Sequence, residues 1–226
     1  VHVQGGRVGF FEKRSADVVD VEACPIAMPE VNEALTKLRR SRPAKGQHVL
    51  SARPGVRFFE QTNDGGALEL IRVVREGLRW GGGLLVDAYC GAGFFARHLA
   101  ENFESVCGIE LNAEAVAEAV RFGGERDRYI QGDVEQQIGR ILEEEDRSRV
   151  VVLLDPPAAG LSGGVVECLG RLPVKELVYV SCDPATQARD IGLLSARGYR
   201  LTRVVPVDMF PQTADIESVA FLEGCL

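Results

Sequence analysis

The stretch Leu84-Leu85-Val86-Asp87-Ala88-Tyr89-Cys90-Gly91-Ala92-Gly93 decides the fold. Leu84–Asp87 is a short apolar run ending in an acid, the pattern of a strand buried on both faces. A glycine-rich turn follows, and then a helical stretch through Ala100. Glycines at such a point let the backbone turn tightly and approach a ligand at a helix N-terminus. Gly91-x-Gly93-x-x-Ala96 meets the loose form of the dinucleotide-binding pattern, and Glu110, at the end of the next predicted strand, stands where a ribose-binding acid belongs. This signal alone leaves three readings open: a nicotinamide site, an S-adenosylmethionine site, or an ordinary turn in an α/β protein.

Working outward, helical and strand patterns alternate on both sides. Gly66–Leu78 reads as a helix, with Leu68, Ile71, Val74 and Leu78 at helical spacing. Val106–Glu110, Arg128–Gln131, Val150–Asp155 and Glu176–Ser181 read as strands. Between them Ala113–Phe122, Val134–Glu145 and Val165–Leu172 read as helices, with Ala185–Arg197 after the last. Repeated β-α alternation with apolar strands implies a parallel sheet covered on both faces. Two closing strands, Arg200–Val207 and Glu217–Leu222, have no helix between them, as in an antiparallel hairpin. Residues 1–57 are different: a strand pair near Arg7–Phe11 and Asp17–Val21, a helix over Met28–Arg40, and a basic, Pro-containing linker. The expected organisation is therefore a segment of residues 1–57 followed by an α/β domain over 58–226.

The bulk properties agree with one soluble α/β domain and a small appendage: 226 residues, 46% hydrophobic, mean hydropathy near zero. No run of about 18 apolar residues exists, so no membrane span is expected. The N-terminus is polar, lacks a signal-peptide layout and does not begin with Met, so a fragment of a longer protein is one expectation. A net charge of −7 argues against broad electrostatic binding of nucleic acid. The exception is Lys37, Arg39, Arg40, Arg42 and Lys45, which read either as a solvated linker or as a phosphate-contacting strip. Six cysteines without a C-x-x-C pair form neither a disulfide framework nor a zinc site; reduced thiols, a cytoplasmic location and no metal are expected.

Two further motifs fall at predicted strand ends, on the edge where open α/β sheets bind ligands. Asp155-Pro156-Pro157 fixes the backbone and removes donors, leaving neighbouring carbonyls free to face a substrate. Amino-group methyltransferases use a similar motif with an aromatic beside it, whereas Ala158 and Ala159 follow here. Ser181-Cys182-Asp183-Pro184 puts a cysteine near a helix N-terminus, which lowers a thiol pKa. A lone cysteine at a strand end is also commonly a small buried filler. Its alternative role is nucleophile, and a reaction that attaches a thiolate to a pyrimidine ring and later eliminates it needs a base as well. Glu217 is the candidate base.

Together these motifs resemble the RNA 5-methyluridine methyltransferase family, whose members modify uridines of tRNA and 23S rRNA. Ser181–Asp190 is similar to the family's SCNPATLARD motif, Asp208–Thr213 with Glu217-Ser218-Val219 to DMFPxT…E[ST]V, and Asp87–Gly93 to DLYCGxG. The resemblance runs from about Phe58 to the C-terminus. It implies a Rossmann-like class I methyltransferase fold and S-adenosyl-L-methionine as cofactor, contacted by Gln61, Tyr89, Gly91, Gly93, Glu110, Asp133 and Asp155. It implies Cys182 as nucleophile, Glu217 as base, and RNA as partner, 23S rRNA before tRNA, with the target uridine flipped out to reach Cys182. Residues 9–26 resemble part of the family's central RNA-contacting domain, shortened here to a remnant. Cys24 matches the fourth ligand of an iron–sulfur cluster in some members, without the other three. Asp183, Ala158, Phe94 and Asp215 depart from the family pattern. A shortened RNA- or cofactor-binding module without efficient turnover is the alternative.

Overall fold

A computed structural model describes residues 1–12, 15–25, 27–48, 50, 64–209 and 215–225. Gln61 and the Phe210–Thr213 part of the base motif lie outside the described residues. The chain divides into two compact units, Val1–Arg57 and Phe58–Leu226.

In the first unit, β1 (His2–Gln4), β2 (Arg7–Phe11), β3 (Val18–Asp20) and β4 (Gly46–Gln47) form an antiparallel sheet in the order β3-β2-β1-β4. The β2–β3 pair is the one the sequence predicts; β1 and β4, three and two residues long, are too short to read from alternation. Gly5 and Gly6 have φ of +58° and +80°, which only a residue without Cβ adopts easily, and they close the β1–β2 hairpin. Helix α1 (Pro29–Arg40) contributes Leu35 to a small core with Val3 and Val8. Arg39, one of the basic strip, binds Asp20 through two bonds of 2.7 and 2.8 Å and also donates to the Val8 and Val21 carbonyls. Its guanidinium holds the Asp20 carboxyl well below the usual range. Arg39 is thus a structural cation of this unit.

The second unit holds a seven-stranded sheet. Its strands are β5 (Leu84–Ala88), β6 (Ser105–Glu110), β7 (Arg128–Gln131), β8 (Val150–Leu154), β9 (Glu176–Ser181), β10 (Tyr199–Val207) and β11 (Glu217–Gly224), in the order β10-β11-β9-β8-β5-β6-β7. Pairs among β5–β9 are parallel, whereas β11 runs antiparallel between β9 and β10. The helices are α2 (Asp64–Gly77), α3 (Phe94–Leu99), α4 (Ala113–Phe122), α5 (Val134–Glu144), α6 (Gly163–Arg171) and α7 (Pro184–Ser195).

Alternate residues of each strand feed opposite faces, so the apolar runs fill two cores. Val86, Ala88, Val152 and Leu154 pack with Ile138 and Leu142 of α5 and Leu169 of α6. Leu85, Val151 and Leu153 pack with Leu70 and Val74 of α2 and Leu99 of α3. The buried stripe of α2 is Ala67, Leu70, Ile71, Val73 and Val74, while Leu68, part of the predicted spacing, is exposed. β5 pairs with β6 on one side and β8 on the other, so the strand order reverses there and opens a crevice at the carboxyl ends of β5 and β8.

Candidate active site

The loop after β5 is built by carboxylates accepting from its backbone. Asp87 is fully buried, and its Oδ2 accepts from the Ala96 N–H at 2.9 Å. Its other oxygen has no protein partner. Burial pushes its pKa up to about 7; the Ala96 N–H pulls against this and the Glu110 charge adds to it. Glu110, at the end of β6, accepts from the Gly91 N–H at 3.1 Å and from the Asn112 N–H at 2.7 Å. Tyr89, Gly91 and Gly93 have φ of 66°, 52° and 76°. A Cβ at Gly91 would project into open space, so its glycine keeps that side of the loop clear for a close ligand. A Cβ at Gly93 would stand 3.3 Å from the Ala119 Cβ and 3.5 Å from the Tyr129 ring, in addition to the backbone strain.

Asp133 is the N-cap of α5 and accepts from the Glu135 N–H at 2.8 Å. Tyr89 is raised to about 12, first by burial and then by the carboxylates of Asp133, Glu135 and Asp190. Asp155 follows β8, with its N–H on the Ala88 carbonyl at 3.3 Å. Burial, then the charges of Glu217 and Asp87, raise its pKa well above the ordinary carboxyl range. The backbone bond from Asp155 to Ala88 joins the ends of β8 and β5.

At the end of β9, Cys182 is exposed, and Asp183 caps α7 by accepting from the Thr186 N–H at 2.7 Å, with Pro184 in the first helical turn. The last ladder pair between β9 and β11 is Ser181 with Ser218, so Cys182 and Glu217 continue the two strands at the same end. Glu217 is buried, which raises its pKa. The Cys182 thiol is raised as well: burial is the largest cause, the Glu217 charge next, with Asp155 and Asp183 adding. The direction is opposite to the expectation of a thiol lowered by the α7 N-terminus: partial desolvation comes first and three carboxylates add to it.

The expected cofactor and catalytic positions other than Gln61, which lies outside the described residues, thus fall along one sheet edge, in two groups on either side of Asp155. Several supporting residues were not singled out from sequence. Asp190, fully buried, accepts from the Leu161 N–H and the Tyr179 hydroxyl, each at 2.8 Å, and from Arg189. Arg189 also donates to the Ala159 carbonyl at 2.9 Å, which ties the Asp155–Leu161 loop to α7. Gly160, φ +81°, lies so close that a Cβ would stand 2.4 Å from Asp190 Oδ2. The sequence signal for this tie is an Asp in the same helical stripe as Ile191 and Leu194. Phe94, a departure from the family pattern, packs its ring against Phe95 and His98.

Cys24, Cys90, Cys107, Cys168, Cys182 and Cys225 are all free thiols. Among the described residues no helix is long and apolar enough to cross a membrane, and no group of three His, Cys, Asp or Glu could hold a metal ion.

The tRNA (uracil-5-)-methyltransferase family profile matches residues 140–224, and that of RNA cap guanine-N2 methyltransferases matches residues 82–164. An uncharacterized RNA methyltransferase of Geobacter sulfurreducens is 38% identical over 192 residues, covering 78% of this chain and 38% of that protein. One of Enterococcus faecalis is 42% identical over 146 residues, covering 63% of this chain and 32% of that protein. Among solved structures, the tRNA (uracil-54, C5)-methyltransferase of Pyrococcus abyssi in complex with S-adenosyl-L-homocysteine is similar with TM-score 0.63 and 33% identity. That match covers 73% of this chain and 39% of the other. The N-methyltransferase NodS of Bradyrhizobium japonicum, 15% identical with TM-score 0.58, shares the fold, a class I methyltransferase sheet. The chain spans about a third of the length of the curated relatives it matches. The first of these profiles covers β8 to β11, the part that carries both Cys182 and Glu217, and together with the RNA methyltransferase relatives it supports the (uracil-5-)-methyltransferase family.

Proposed function

We propose that this chain is the catalytic part of an enzyme that transfers a methyl group from S-adenosyl-L-methionine to carbon 5 of a uridine in RNA, through a covalent bond from Cys182. The observation that carries the reading is the exposed Cys182 beside the buried Glu217 at the adjoining ends of β9 and β11. The residues at the β5 loop suit this cofactor: Gly91 leaves room for close approach, and Glu110 and Asp155 are acceptors for hydroxyl groups and for cationic groups. Tyr89, Gly93 and Asp133 complete that side in this reading, together with Gln61. When bound, the cofactor supplies an electrophilic methyl group and a positive sulfonium.

Cys182 Sγ, as thiolate, forms a bond to uracil C6, and the ring electrons move to the C4 oxygen as an enolate. C5, now nucleophilic, would accept the methyl group that the bound cofactor supplies, the S–CH3 bond breaking to leave a neutral thioether. Glu217, ionised, takes the proton from C5, the C5=C6 bond re-forms, and the C6–S bond breaks to return the thiolate. The carboxylates that raise the Cys182 thiol make the free site a poor place for a thiolate, so the reading couples activation to the arrival of positive charge.

RNA with 5-fluorouridine in place of uridine, incubated with the chain and S-adenosylmethionine, tests this. 23S rRNA and tRNA are run side by side, with 23S rRNA the favoured substrate and a cytoplasmic setting assumed. A covalent adduct that disappears in Cys182→Ala is expected; no adduct, or one undiminished in Cys182→Ala, removes the mechanism. A second reading is an RNA- or cofactor-binding module without efficient turnover. Calorimetric binding of S-adenosylmethionine without methylation of any RNA would establish it. The profile match over residues 82–164 raises amino-group methylation, and that match omits Cys182 and Glu217. Locating the label on an exocyclic nitrogen rather than on C5 would support it.

A further inference from the structure

We propose that Gln187 is a positioning residue: it clamps the ends of β9 and β11 together and so holds Glu217 beside Cys182. Gln187 lies on α7 and is 3% exposed. Its Nε2 donates to the Tyr179 carbonyl on β9 at 2.8 Å and to the Ser218 carbonyl on β11 at 3.1 Å. Its Oε1 accepts from the Ser218 hydroxyl at 2.7 Å, and that hydroxyl also lies 3.4 Å from the Ser181 carbonyl. Ser181 precedes Cys182, Ser218 follows Glu217, and both serines are buried. The β9–β11 ladder ends at this serine pair, one residue short of the reactive groups on each strand. At this last pair and just inside it, the side-chain bonds of Gln187 tie the two strands together.

The SCNPATLARD motif carries Leu where this chain has Gln187. A leucine can neither donate to two carbonyls nor accept from a hydroxyl, so the polar clamp is a feature of this sequence. Burying an amide with all these partners satisfied fixes one arrangement, and removing it leaves buried groups on both strands unpaired. The charged groups facing the thiol are Glu217 from β11, Asp155 from the end of β8 and Asp183 from the α7 cap, with Glu217 the strongest. Loosening the clamp should move Glu217 off and let the thiol ionise at lower pH.

The role of Gln187 rests on Cys182 and Glu217 being the reactive pair, so the decisive readout is the thiol itself. In the full chain, the pH dependence of iodoacetamide alkylation is followed at the Cys182 peptide by mass spectrometry. Glu217→Gln should lower the midpoint, and Gln187→Leu should lower it by about half a pH unit or more. In the Gln187→Leu background, Glu217→Gln should then add little. Ser218→Ala should behave like Gln187→Leu, and Ser218→Thr, which keeps the hydroxyl, should stay near wild type. A folded Gln187→Leu with the wild-type midpoint and the full Glu217→Gln shift overturns the proposal. So does a Glu217→Gln that moves nothing in the wild-type background. Should Gln187→Leu not fold, the Ser218 pair decides. Methyl transfer on the same variants separates the two ideas: turnover absent from the wild type with the coupling intact removes the reaction and leaves the clamp.

Discussion

Two loops at the same edge of the sheet solve opposite problems. The loop after β5 presents backbone: three residues at positive φ and a missing Cβ at Gly91 bring the main chain up to an open space, with Asp87 and Glu110 holding it from behind. The loop after β9 presents a side chain. Its described residues have no positive φ; Ser181, Asp183 and Gln187 fix it by side-chain bonds, and Cys182 is left exposed. A site that grips a ligand by close backbone approach is sensitive to any added atom, whereas one that offers a reactive group is sensitive to chemistry and register.

The largest effect expected separates the two loops outright. Cys182→Ser should abolish turnover while leaving cofactor affinity by calorimetry unchanged, because the β5 loop is untouched. Glu217→Gln should slow turnover by about 10²-fold or more and let the covalent adduct accumulate, since adduct formation does not need the base. Gly93→Ala should do the reverse of Cys182→Ser. Positive φ and the Ala119 contact should cost about 1–2 kcal/mol of stability by chemical denaturation and weaken cofactor binding, with Cys182 alkylation unaffected.

A smaller effect concerns pH. Asp87 and Glu176 are both raised to about 7, in each case chiefly by burial. Their folded values lie above the unfolded ones, so their contribution to stability is fully present below about pH 4 and is lost as pH rises through about 7. Over that window unfolding free energy should fall by up to about 1 kcal/mol per pH unit for each group, and Asp87→Asn should flatten its share in urea titrations. The smallest expected effect is at the α7 cap. Asp183→Asn keeps an acceptor for the Thr186 N–H and should change stability by only a few tenths of a kcal/mol, whereas Asp183→Ala should cost about 1 kcal/mol.

The same contrast explains what was legible in the sequence. The β5 loop could be read directly, because backbone geometry at positive φ demands glycine and strand burial demands an unbroken apolar run such as Leu84–Val86. Cys182 and Glu217 were legible as types, and the strand-end motif placed them on one edge. Their environment was not. The upward shift of the thiol arises first from partial desolvation and then from charges led by Glu217, 35 residues away in sequence, whose approach depends on β11 inserting beside β9. The hairpin was predicted, but alternation along β10 and β11 does not say which of them meets the parallel strands. Leu68 shows the same limit on a helix: spacing gave the period of α2, while the neighbouring strands chose which stripe is buried. Gln187 and Asp190 looked like ordinary helix residues, and only their partners on other strands and loops make them the supports of the site.

The most direct test of the account is the identity of the cross-linked residue in an adduct of Glu217→Gln with uridine-containing RNA and S-adenosylmethionine, read by mass spectrometry after protease and nuclease digestion. A Cys182 peptide joined to a uridine that already carries the extra methyl group is expected. An adduct on Cys24 or Cys225, or methylated RNA released with no adduct at all, would contradict it.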